Sequence, residues 1–306
     1  MVSEHELMHQ ETLLYMVQEL PYDHKMPPGD LPCHVFGEEP AAIEVDIPTG
    51  KATLGASFES LDFGWDNEFP QQTMEVPAFK IDSMPATNGR FLEFVQSGAY
   101  EDHRYWTEED WTWKQSTGTA HPRCWLADGE HWSYRSMFDL VPLSRVLSWP
   151  VYVSLAEARA YARWRGKRLP TEAEFQRAAY GNPIGTASPY PWGDAAPAAA
   201  HGNFNFLLWT PKPAGSNPAG ASAWGIHELV GNGWEWTETP FSPFPGFKPY
   251  IEGYPEYSAD FFDGKHYVLK GASWATAVEL LRPSFRNWYQ VHYPYVFAKF
   301  RCVSNS

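Results

Sequence analysis

The first patterned stretch lies at the N-terminus, where Leu13, Leu14, Val17 and Leu20 recur at helical spacing and Pro21 breaks the run. The spacing predicts a helix over about residues 4–20. Residues 21–40 then lose periodicity; Pro21, Pro27, Pro28, Gly29, Pro32, Gly37 and Pro40 mark them as a linker. An apolar run over residues 41–47 has the character of a strand, and Pro48 closes it. Three later helices show themselves by their caps. Thr87 precedes Phe91, Leu92, Phe94 and Val95, with Gly98 to end the helix. Ser154-Leu155-Ala156-Glu157 and Thr171-Glu172-Ala173-Glu174 are capping boxes, in which the hydroxyl serves the third amide and the carboxylate reaches back. Gly181 is the expected stop of the last of these. From there to the end the pattern predicts only short strands, turns and loops, a length of irregular chain that usually carries function.

Composition adds the cement. Aromatic residues make up 16% of the chain, with 15 Trp, beside 27 Pro and 23 Gly. Breakers on that scale prevent long regular elements, while rings bury large areas per residue. The expectation is a compact domain of irregular backbone, with most Trp in the core. The net charge of −14 argues against nucleic acid and against an anionic membrane surface. No apolar run is long enough to span a bilayer. The acidic start Met1-Val2-Ser3-Glu4-His5-Glu6 lacks the features of an export signal, so a cytoplasmic protein is expected. Three cysteines, Cys33, Cys124 and Cys302, with no CxxC pair, are expected as reduced thiols.

The chemistry is concentrated in His5-Glu6-Leu7-Met8-His9-Gln10-Glu11. Histidines four apart share one helix face, so their imidazoles can converge on a metal. Three readings stand side by side. One is His-x3-His-x-Glu, with His5 and His9 as ligands. Another is the zinc-protease pattern His-Glu-x-x-His, with Glu6 as general base. The third is a pair of histidines without a ligand.

Several ordered motifs resemble the formylglycine-generating, or sulfatase-modifying factor, superfamily. They are Ser154-Leu155-Ala156-Glu157-Ala158, Tyr161-Ala162-Arg163-Trp164 and Gly166-Lys167-Arg168-Leu169-Pro170-Thr171-Glu172-Ala173-Glu174-Phe175. Tyr190-Pro191-Trp192-Gly193-Asp194, Gly225 to Trp236, Leu269-Lys270-Gly271-Ala272-Ser273-Trp274 and Lys299-Phe300-Arg301 follow in the same order. Members usually have Gly-Phe-Arg at the last of these. The resemblance implies an α+β, complex C-type-lectin-like fold over residues 41–306. It also implies that residues 1–20 are the last helix of a DinB-like bundle, most of which lies outside this chain, and that residues 21–40 are the linker.

Two departures point to one branch. The cysteine pair of formylglycine-generating enzymes is absent near Ser273-Trp274-Ala275-Thr276, while Arg282-Pro283-Ser284-Phe285-Arg286-Asn287-Trp288 and Tyr293-Pro294-Tyr295 are similar to hercynine oxygenases. That branch implies an Fe(II) site on His5, His9 and a third histidine from the missing bundle; neither His24 nor His34 is nominated in its place. It implies small-molecule substrates: O2, a thiol and hercynine, the trimethylated histidine. The product is a C–S bond with a sulfoxide, in ergothioneine biosynthesis. Asn287 and Trp288 match the hercynine cradle. Arg286 either steers a carboxylate or pairs structurally. Tyr257 is the candidate proton donor, with Tyr250 and Tyr254 as rivals. Asn232 falls where members hold calcium, with turn-capping as its other reading. The Trp-Asp-x-x-x-Arg grip on γ-glutamylcysteine is replaced by Trp288-Tyr289-Gln290-Val291-His292-Tyr293, which favours cysteine as donor. Two alternatives remain open at this point: an inactive ligand- or partner-binding domain, and an enzyme joining cysteine to unmethylated histidine.

Overall fold

The computed structural model describes residues 1–129, 131–251 and 253–306. The opening helix, α1, spans Val2–Glu19. Four short strands follow: β1 (Glu44–Ile47), β2 (Gly50–Leu54), β3 (Gln72–Val76) and β4 (Phe79–Asp82). The expected strand over residues 41–47 is thus confined to its second half.

Helix α2 (Asn88–Gln96) begins as its cap predicts, with Thr87 Oγ1 accepting from the Arg90 amide, and Gly98 follows in the left-handed region. The capping boxes of α4 (Leu155–Trp164) and α5 (Glu172–Tyr180) are both formed, although Gly181 leaves α5 in an extended conformation. Between α2 and α4 lies α3 (Glu108–Thr117), capped by Thr107 and ended by left-handed Gly118. Its apolar positions are too weakly grouped for periodicity to reveal it.

Strands β5 (Trp125–Asp128), β6 (His131–Arg135) and β7 (Leu140–Pro142) form a separate meander. The C-terminal part is more regular than its sequence suggests. There β8 (Gly233–Pro240), β9 (His266–Ala272), β10 (Asn287–Gln290) and β11 (Ala298–Lys299) make one sheet in the order β10-β9-β8-β11. A short helix, α6 (Glu256–Ala259), sits in the β8–β9 connection, and β12 (Val303–Asn305) pairs with β4, which also pairs with β1.

Rings fill the interior as composition predicts. Trp65, Trp125, Trp149, Trp234, Trp236 and Trp274 are all buried. Beside them runs an ionic cluster. Arg301 grips the Glu235 carboxylate, and Lys299 donates to the carbonyls of Gly231 and Gly233. Burial alone would raise the Glu235 carboxyl, yet the Arg301 and Lys299 charges hold it below the usual range. Gly233, at φ 137°, is required here, because a Cβ would lie 2.8 Å from the Tyr152 ring. Asn232 is fully engaged. Its oxygen accepts from Asn203 and Lys212, and its amide donates to Lys212 O and Glu228. These contacts describe the turn-capping role.

Helix α1 is docked differently from what its leucines suggest. Leu13 and Leu20 are exposed, at 57% and 42%, as is Met16. The side facing the domain carries Glu4, Met8, Glu11, Tyr15 and Gln18, held by polar contacts described below.

Candidate functional site

The seam between α1 and the domain gathers most of the candidate residues. His5 and His9 lie one helical turn apart with ring centroids 4.2 Å from each other. Glu6 joins them, and one ligand atom from each of the three residues lies within 4.8 Å of the others. Two imidazoles and a carboxylate suit a divalent first-row metal better than calcium or magnesium, which prefer oxygen alone. The donor set therefore fits an iron-type ion. His5 is partly buried, whereas Glu6 and His9 are exposed. Burial and the neighbouring His9 lower the His5 pKa, and Glu6 acts the other way, so the ring is held toward its neutral, ligating form.

The domain presents aromatic rings to this helix. The His5 ring lies 5.8 Å from Tyr254 and 6.1 Å from Trp65. Trp65 is buried and fixed, its Nε1 donating to Glu4 at 3.0 Å. Tyr257, from α6, stacks on Trp65 at 3.9 Å and meets Trp288 edge-on at 5.3 Å. Its hydroxyl points at Met8 Sδ, 3.5 Å away. Burial, with Glu68 and Asp66 nearby, pushes this phenol well above its ordinary pKa, so it stays protonated. Of its rivals, Tyr250 donates to the Gly64 carbonyl and packs on Phe58 and Phe69, while Tyr254 is 40% exposed.

Strand alternation sends Asn287 and Trp288 to opposite faces of β10. Trp288 stacks on Phe241 at 4.2 Å and reaches Phe261 and Tyr257. Asn287 instead lines a small cleft with Met8, Glu11, Thr12, Trp234 and Tyr289. Met8 is common to both sides. In the same segment Tyr289 stacks on Tyr293 at 4.9 Å.

Arg286 is elsewhere. It is 3% exposed, and its guanidinium donates to both oxygens of Glu172, at 3.0 and 3.1 Å, and to the carbonyls of Asn67 and Ser242. Of the two roles open to it from sequence, structural pairing is the one these contacts describe. No described contact brings it to His5 or His9. His34 is bound to Asp139, and His24 lies beside Asp23.

Several seam residues escape a reading of the sequence. Arg282 donates to Glu4 at 2.9 Å and to Glu68 at 2.6–2.8 Å, tying the start of α1 to the domain. Glu11 is buried; its carboxylate accepts from Tyr15, Trp234, Ser273 and Thr276. Burial raises its pKa and these four donors oppose the rise. Its place as the last letter of His-x3-His-x-Glu was the available signal. Nothing in the sequence marks Trp65, Met8 or Glu68 as residues of the seam.

The fold and the motif order define a class. Residues 35–306 match the sulfatase-modifying factor enzyme 1-like domain, and the chain belongs to that family. Its shape agrees with the solved structure of PvdO from Pseudomonas aeruginosa, with a TM-score of 0.56 at 18% identity over 88% of this chain and all of that one. Within the family it is similar to the hercynine oxygenase of Mycolicibacterium thermoresistibile, at 38% identity over 94% of this chain and 64% of that protein. It is 31% identical to ergothioneine biosynthesis protein 1 of Neurospora crassa, over 98% of this chain and 42% of that protein. The chain thus spans about two thirds of the bacterial relative and less than half of the fungal one. No helix among the described residues is long and apolar enough to cross a membrane.

Proposed function

We propose that this chain carries the substrate-binding domain and the last metal-bearing helix of a non-haem Fe(II) oxygenase that joins a thiol to hercynine in ergothioneine biosynthesis. The observation that carries this reading is the seam itself, where His5, with His9 beside it, meets Tyr254 and Trp65, and Tyr257 and Trp288 lie behind them. Residues 1–20 are read as the end of a helical bundle and residues 21–40 as its linker. A cytoplasmic location accords with the reduced cysteines and the substrates.

His5 and His9 would hold the metal, which when bound supplies oxidising power and favours the thiolate of an incoming thiol. The chemistry balances simply. An imidazole C–H, a thiol S–H and one O2 give a C–S bond bearing one oxygen, plus water. Trp288 offers an aromatic face to the trimethylammonium group, a contact suited to a cation that cannot donate hydrogen bonds. Asn287 offers the polar group on the other side of the strand. Tyr257 keeps its proton at neutral pH, and the one described acceptor for its hydroxyl is a weak thioether, so it is free to donate to oxygen. Tyr289 and Tyr293 place stacked rings where other members keep charges for a γ-glutamyl group, which favours cysteine as donor.

Anaerobic Fe(II) titration followed by aerobic turnover tests the reading. Hercynine with cysteine should yield a sulfoxide detected by mass, faster than γ-glutamylcysteine or unmethylated histidine. Iron binding that survives His5→Ala, or no turnover with any of these pairs once the rest of the helical bundle is supplied, would sink it.

A further inference from the structure

Three of the polar residues by which α1 hydrogen-bonds to the domain are seven residues apart. Glu4 accepts from Trp65 and Arg282. Glu11 accepts from Trp234, Ser273 and Thr276. Gln18 donates to the Arg135 carbonyl at 3.0 Å. Seven residues bring a helix back to nearly the same face, with a drift of ~20°, so the three form one row. The leucines that would ordinarily dock such a helix are partly buried at best or face solvent.

Glu11 differs from the other two. It is buried, and every partner is neutral: an indole, two alcohols and the phenol of Tyr15. The domain donors come from two places, β8 for Trp234 and the turn after β9 for Ser273 and Thr276. That turn is itself braced, because Thr276 Oγ1 accepts from the Ser273 amide at 2.8 Å. A carboxylate buried without a cation is a poor way to gain stability. It is a good way to fix geometry, since donors converging from two elements onto both oxygens allow one rotation and one axial position.

We propose that Glu11 is a positioning residue for the metal ligands, setting the rotation and register of α1 so that His5, with His9 beside it, opens onto the wall formed by Trp65 and Tyr254. The proposal rests on the reading of His5 and His9 as metal ligands. His9 lies two residues away and His5 six, about 3 and 9 Å along the axis at 1.5 Å per residue. A helix rotation of roughly 20° would swing an imidazole about 2 Å, given a helix diameter of ~10–12 Å. Misplacement on that scale is costly to metal and substrate geometry.

The test uses Co(II) as a spectroscopic probe on the full chain, with four variants. Glu11→Ala removes the clasp, Glu11→Gln keeps one accepting oxygen, and Ser273→Ala removes one donor. Gln18→Ala cuts the same row at the end far from the histidines. Thermal midpoints report stability, and the Co(II) ligand-field band and affinity report geometry. Gln18→Ala should lower the midpoint yet leave the band and affinity unchanged. Glu11→Ala should shift the band and weaken Co(II) about tenfold or more, with Glu11→Gln and Ser273→Ala in between. Equal behaviour of the Glu11 variants and Gln18→Ala would overturn the proposal.

Failure of the metal reading looks different: wild type and His5→Ala would then bind Co(II) alike. In that case hydrogen exchange over residues 2–10 of the metal-free protein decides. It should rise in Glu11→Gln and Ser273→Ala but not in Gln18→Ala, and unchanged exchange in the first two would reject the clasp. Should Glu11→Ala fail to fold, these two variants carry the same comparison.

Discussion

Tyr257 lies against Trp65 with ring centroids 3.9 Å apart, and Trp65 is in turn pinned to α1 through its hydrogen bond to Glu4. The phenol is thereby held at the seam by stacking rather than by its hydroxyl, whose one described partner is the Met8 thioether. Removing the hydroxyl should therefore leave the ring in place. Tyr257→Phe is expected to keep the thermal midpoint within a few degrees while lowering kcat by about 10²–10⁴-fold, the range for losing a positioned proton donor. Unaltered turnover would move the role to Tyr254.

Trp288 should act through its face. Trp288→Ala is expected to raise KM for hercynine about tenfold, in line with the ~1–2 kcal/mol of a partly desolvated cation–π contact. Trp288→Phe should recover much of that, since a phenyl can still stack on Phe241. Unmethylated histidine, measured alongside, should lose far less. If both substrates weaken equally, the ring is packing rather than recognising.

Arg286 is expected to matter for folding. Both oxygens of Glu172 depend on it, and removing one partner of a buried pair typically costs ~3–5 kcal/mol. Arg286→Ala should show that loss in urea unfolding, and Arg286→Met with Glu172→Met should lose less. The single variant, where still folded, should keep its substrate KM. A raised KM with intact stability would return Arg286 to substrate binding.

The three thiols should differ sharply. Cys33 is exposed, whereas Cys124 is half-buried with its thiol pushed up to about 12, and Cys302 is buried with its thiol higher still. Native protein at pH 8 should thus take one equivalent of an alkylating reagent, at Cys33 by peptide mapping, and three after denaturation. Rapid labelling of Cys124 would show that the end of α1 opens.

Alkaline pH should destabilise the fold. Burial raises Cys124 from 9.0, and Tyr22 and Tyr161 from 10.0, each to about 12. A group raised in the folded state adds stability that is complete below its unfolded pKa and lost as pH climbs through the folded one. Burial moves Lys270 the other way, from 10.5 to about 8, so its penalty is relieved over that interval. Burial lowers Lys25, Lys212 and Lys299 as well, but these four lysines oppose a larger set of raised phenols and thiols, among them Tyr15, Tyr100, Tyr134, Tyr152, Tyr257 and Cys302, and stability in urea should fall from pH 9–10 upward. A rising limb to pH 11 would mean these groups are solvated.

Much of the architecture was readable because it is local. The caps at Thr87, Ser154 and Thr171 lie within three residues of their partners, and all three form as expected. The histidine pair was readable for the same reason, since one helical turn guarantees that His5 and His9 are neighbours. Helix α3 was missed because it lacks an apolar stripe. The long strands β8 and β9 were hidden because their register depends on each other, with Trp234 opposite Gly271 and Glu235 opposite Lys270.

The sequence by itself determined which groups the protein owns: two histidines on a helix, a tryptophan-rich domain and an ordered set of motifs. Short-range geometry suffices for those. Only the tertiary structure decided which face of α1 meets the domain, that Glu11 is clasped by Trp234, Ser273 and Thr276, and that Arg286 belongs to Glu172. Contacts across more than a hundred residues depend on how separate elements pack, and a buried donor takes whichever acceptor that packing delivers.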